Sequence, residues 1–186
     1  MIYYHNFQIE LHQYAERGRG NVFPEIDCCP MCRAHNRLQR HGFYERNAIE
    51  NDKVVRIPIC RLKCPDCGKT LSLLPVFLLP YFQYTMAFIV QLLLSFWLLR
   101  LLPCSRQLRC FYVQRFRAKQ TDMALFIRET GDRQSCEASP DTEAIRLLER
   151  IQALGTSGFV RQWWRHRLSS FMAAGGYRGV RVVPSS

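Results

Sequence analysis

The sequence predicts an α+β protein in which a small antiparallel zinc ribbon of three strands precedes a mostly α-helical domain. Three observations carry this. Two C-x-x-C pairs frame short runs of β type between Cys28 and about Leu74, and the segments that follow show helical periodicity with recognisable caps. The chain has 186 residues, 48% of them apolar, enough for a packed core and too apolar for general disorder.

Residues 1–27 read as an N-terminal helix and lead-in. Residues 6–17 place Phe7, Ile9, Leu11 and Tyr14 on a partly sequestered face, and Gly18-Arg19-Gly20 ends the helix. Residues 28–80 form the ribbon. Its strands are Arg37–Arg46, Lys53–Leu62 and Thr70–Leu74, with Glu50-Asn51-Asp52 as the first turn. Residues 81–174 form the helical domain. Thr85 caps a helix to about Leu99 that is apolar nearly all round except at Gln91 and Ser95, so it is either centrally buried or in lipid. Pro103 closes it, and Ser105 caps a helix running through Arg117 towards Glu129. A polar loop, 131–140, leads to helices over Asp141–Leu154 and Ser157 to about Ala173, stopped by Gly155 and Gly175-Gly176. Residues 175–186 read as a flexible tail.

Cys29-Pro30-Met31-Cys32 and Cys64-Pro65-Asp66-Cys67-Gly68 are two knuckles of one design. Two residues between thiolates let the chain turn tightly enough for both sulfurs to reach one ion, and Gly68 permits the backbone conformation that follows the turn. Cys29, Cys32, Cys64 and Cys67 are therefore the expected ligands of a structural Zn2+ with no open position. Cys28 and Cys60 are expected to be spare, and His41 to be a surface imidazole rather than a ligand. A redox role for either pair lacks the βαβ context it would need. Nine cysteines in this spacing argue for a reducing, cytoplasmic setting, and Met1-Ile2-Tyr3-Tyr4-His5 has no signal-peptide character.

Lys and Arg outnumber Asp and Glu by 26 to 15, a formal charge of +11. The surplus is grouped: residues 33–63 hold eight cations against three acids, and residues 100–119 hold six against none. Such grouping points to a polyanion, because each cation set against a phosphate releases a condensed counterion.

The ribbon, with His41-Gly42-Phe43-Tyr44-Glu45-Arg46 between the knuckles and Ser72-Leu73-Leu74-Pro75 after them, resembles the zinc-ribbon modules at the front of bacterial insertion-sequence transposases and their small relatives. The resemblance is firm over about residues 22–85. It implies a ribbon and a following helix-turn-helix that bind duplex DNA, with a transposase or nuclease subunit as a further partner. The acidic-triad domain that does the cutting in that group has no counterpart among the scattered acids after Lys69, so the chain is not expected to be an enzyme.

Candidate DNA contacts in the ribbon are Arg37, Arg40, Arg46, Arg56 and Lys63, cations on or beside strands stiffened by the metal. In the helix from Ser105, Leu108, Phe111, Tyr112 and Phe116 share one arc and Arg106, Gln107, Gln114 and Arg117 the other. With Arg109 these are the candidate contacts of a recognition helix, since Arg and Gln can bond guanine and adenine edges bidentately. The Trp163 and Trp164 pair beside Phe159 reads as core. Two rival readings stand. Residues 81–102, about 33 Å as a helix, match a bilayer core in length, against which Arg100 and basic clusters on both flanks weigh. The ribbon could otherwise serve as a protein-interaction adaptor.

Overall fold

A computed structural model describes residues 1–51, 53–99, 104–129, 139–167, 172 and 182–183. The elements are β1 (Ile2–His5), α1 (Leu11–Arg17), β2 (Gln39–Glu50), β3 (Lys53–Lys63), β4 (Thr70–Pro75), α2 (Met86–Trp97), α3 (Arg106–Glu129), α4 (Pro140–Ala153), α5 (Thr156–Arg167) and β5 (Val182–Val183). The class is α+β, a sheet followed by a helical region, as the sequence predicts.

The ribbon's antiparallel meander β2-β3-β4 is present, but it is part of a larger mixed sheet of order β2-β3-β4-β1-β5. β1 lies parallel to β4, with Tyr3 opposite Leu73, and the Met1 ammonium donates to the Thr70 carbonyl. The lead-in is therefore one strand and then a helix, and that helix starts at Leu11 rather than at residue 6. The expected tail also contributes, since Val182 and Val183 pair with Ile2 and Tyr3. The rest of 175–186 and most of the expected 131–140 loop lie outside the described residues.

Alternation divides the sheet into two apolar faces. Tyr4, Ile57, Ile59 and Leu74 face the main core with α1, α2, α3, α4 and α5. Tyr3, Cys60, Leu62, Leu71 and Leu73 form the other face, covered by Phe23, Ile26, Leu38 and Phe43. The buried Tyr14 hydroxyl donates to the Pro58 carbonyl at 2.9 Å and ties α1 to β3.

α2 settles the question its composition raised. Thr85 caps it, accepting from the Phe88 N–H at 3.3 Å and donating to Glu50 at 2.8 Å. It has 12 residues, about 18 Å, and most of its apolar side chains, Met86, Phe88, Ile89, Val90, Leu92, Leu93 and Leu94, are buried in the main core. Among the described residues no helix is long and apolar enough to cross a membrane, which removes the spanning helix over 81–102 as drawn from sequence. Ser105 caps α3 by accepting from the Leu108 N–H, and Trp163 is buried against Phe126 and Phe159.

Candidate metal centre and nucleic-acid interface

The two knuckles fold alike because the same bonds close them. The Arg33 N–H donates to the Cys29 carbonyl at 2.8 Å, and the Gly68 N–H to the Cys64 carbonyl at 2.9 Å. The Cys29 N–H reaches Ala34 and the Cys64 N–H reaches Lys69, at 2.9 and 3.0 Å. Both knuckles then turn through the left-handed region, at Gly68 with φ 68° and at Arg33 with φ 59°. Glycine adopts that conformation freely, whereas Arg33 adopts it at a steric cost.

This geometry brings Cys29, Cys32, Cys64 and Cys67 together, with all four sulfurs within 4.8 Å of one another. Cys29 Sγ lies 3.8 Å from Cys67 Sγ, and Cys32 Sγ lies 3.6 Å from Cys64 Sγ. Four thiolates about 2.3 Å from a tetrahedral ion stand about 3.8 Å apart, so the tetrad is dimensioned to hold one metal ion. The thiols also share protons unequally. Burial favours the neutral Cys29 thiol, but the N–H groups of Cys32 and Met31 and the neighbouring thiols of Cys32 and Cys64 hold it down at about 7. The Ala34 N–H favours the Cys32 thiolate, yet desolvation and the thiols of Cys29, Cys64 and Cys67 push it up to about 12. One negative sulfur thus resists the ionisation of the next, and a cation at the centre relieves that resistance.

The other candidates stand apart. Cys60 is buried in the second apolar face, and Cys28 is half-buried with its thiol directed to the Cys29 carbonyl. His41 is exposed at a bulge where the β2-β3 register shifts between Arg40 and Gly42, and Gly42 takes φ 114° there.

The ten residues expected to meet DNA divide by what already holds them. Arg37 donates from Nε and Nη2 to Asp66 across the knuckles, at 3.1 Å to Oδ1 from each nitrogen. Arg46 is half-buried and donates to the carbonyl oxygens of Leu79 and Phe82, which makes it a structural clamp on that turn. Burial lowers its pKa. Arg117 lies 3.4 Å from Asp141 and over the rings of Phe96 and Trp97, and Arg109 is half-buried. Arg40 sits over Phe23 and Phe43, its side chain exposed. Arg56, Lys63, Arg106, Gln107 and Gln114 are exposed and enter no ion pair among the described residues.

On α3 the apolar arc is as expected for Tyr112 and Phe116, both buried, whereas Phe111 is 41% exposed beside Arg115. α2 ends at Trp97 and α3 begins at Arg106, and residues 100–103 of the expected helix-turn-helix turn lie outside the described residues. Sequence reasoning missed the Arg37–Asp66 pair and the role of Arg46. The Asp between the second pair of cysteines was a signal for the first, while the second left none.

Residues 29–95 match the protein family described as Domain of unknown function (DUF6431). The likeness starts at Cys29, the first thiol of the tetrad, takes in the whole β2-β3-β4 meander and ends within α2. No curated protein and no solved structure matches the chain.

Proposed function

We propose that this chain is a cytoplasmic zinc-ribbon protein that binds duplex DNA and has no catalytic activity of its own. The tetrad carries the reading. Its four thiolates are soft donors, its 3.6 and 3.8 Å sulfur separations suit the tetrahedral Zn2+ shell, and no ligand position is left open for substrate. Zinc would stiffen the two knuckles and hold Arg33, Lys63 and Lys69 around it.

Support for a nucleic-acid partner comes from charge placement. With Arg37, Arg46 and Arg117 engaged within the fold, the interface rests on Arg40, Arg56 and Lys63 in the ribbon, and on Arg106, Gln107, Arg109 and Gln114 along α3. The exposed arc of α3 is rich in groups that can bond phosphates or base edges. The resemblance to transposase ribbon modules points the same way, with a separate transposase or nuclease subunit as the second partner.

The test pairs metal analysis with DNA titration on one preparation. One zinc per chain is expected, together with duplex binding that weakens by about 1,000-fold between 50 and 200 mM salt if six or so phosphates are engaged. Cys64→Ser should lose both. Absence of duplex binding at low salt would overturn the DNA reading and favour an adaptor ribbon, and a metal-free tetrad would overturn the zinc reading.

A further inference from the structure

A cleft of about 600 Å³ opens where the 81–83 turn passes the edge of the sheet, lined by Glu45, Arg46, Asn47, Arg56, Tyr81 and Gln83. β2 is the edge strand, and the chain at 83–85 closes over its end, with the Ile49 N–H donating to the Gln83 carbonyl and the Thr85 N–H to the Ile49 carbonyl. Arg46 fixes the turn by donating to the carbonyls of Leu79 and Phe82. Phe82 is anchored in turn against Phe111 and Tyr112. Between these anchors Tyr81 is held at φ 67° and is 67% exposed. A bulky residue held in the left-handed region on a surface is a feature that concentrates at ligand clamps.

We propose that this cleft is a subsite for one unstacked nucleobase and its phosphate, within the nucleic acid that the preceding reading assigns to the protein. Tyr81 supplies the stacking surface, the sole aromatic ring of the lining. Asn47 and Gln83 can donate to and accept from a base edge, and Glu45 accepts from an exocyclic amine. Arg56 is exposed, enters no ion pair among the described residues, and lies at the same cleft to meet the phosphate. The half-buried Arg46 clamp and the exposed, positive-φ Tyr81 together place an aromatic ring beside the polar side chains of the cleft.

The experiment compares a short labelled duplex with the same duplex carrying one bulged, unpaired nucleotide, using the full zinc-loaded chain and fluorescence anisotropy. Stacking of one base predicts that the bulged duplex binds about five-fold or more tighter. Tyr81→Ala should abolish that gain and leave binding of the perfect duplex intact, while Tyr81→Phe should retain it. Equal binding of the two duplexes by the wild-type chain, or a gain that survives Tyr81→Ala, would overturn the subsite and leave the DNA reading standing. Failure to bind either duplex would overturn both.

Discussion

Withdrawing metal from the thiol tetrad should loosen the two knuckles and leave the helical core standing. The knuckle residues 30–37 and 65–69 bury few apolar side chains, whereas the main core is built from the sheet and the five helices and includes none of the four cysteines. A segment with so little burial opens at a free-energy cost near zero unless something else closes it. A structural zinc ion contributes about 10–16 kcal/mol, and opening is then capped only by global stability of about 5–15 kcal/mol. Amides in the knuckle bonds, those of Cys29, Arg33, Cys64 and Gly68, should therefore exchange at least about 1,000-fold faster after chelation. Amides of α2 and α3 should keep their protection. Hydrogen exchange read by mass spectrometry, with and without chelator, makes the comparison on one sample. Unchanged exchange at the knuckles would refute the coupling between tetrad and ribbon, and global loss of protection would refute the independence of the helical core.

Two further outcomes follow from half-buried groups. Arg46→Met should cost about 2–4 kcal/mol, since the carbonyls of Leu79 and Phe82 lose a charged donor while part of the cost of burying the guanidinium is recovered. In a chain of this size that is a fall in melting temperature of about 5–15 °C, and a change under about 2 °C would show the clamp to be idle. His5, half-buried with its ring edge-on to Phe7 at 4.6 Å, has its pKa lowered by burial. The unfolded chain then binds the proton more readily, so stability is full above the ordinary histidine value of about 6.5 and is lost as pH falls through the folded-state pKa. His5→Gln should flatten that part of the denaturation profile relative to wild type, and identical slopes would refute the assignment.

How much could be read in advance depends on how far apart the interacting residues lie. The C-x-x-C pairs, the caps at Thr85 and Ser105 and the turn of the β2-β3 hairpin are patterns completed within a few residues, and each is found where the sequence puts it, although β2 spans Gln39–Glu50 rather than Arg37–Arg46. β1 was missed because four residues, Ile2-Tyr3-Tyr4-His5, are too few for a periodicity to show, although their β-branched and aromatic character fits a strand. Their partner in β4 lies 69 residues away at Met1 and Thr70.

The candidate DNA contacts show the same division more sharply. By residue type Arg37, Arg46 and Arg56 are equivalent, three cations on or beside strands of one hairpin. Folding pairs the first with Asp66, ties the second to the turn at Leu79, and leaves the third exposed at a cleft. The sequence by itself determined the two cysteine knuckles, the α+β order of elements and the basic character of the chain, because spacing, capping and net charge are local or additive. Only the tertiary structure decided that α2 is a 12-residue core helix, that the sheet is mixed, and which cations remain available. Those outcomes depend on which distant groups compete for each side chain or strand edge, and that competition has no local pattern.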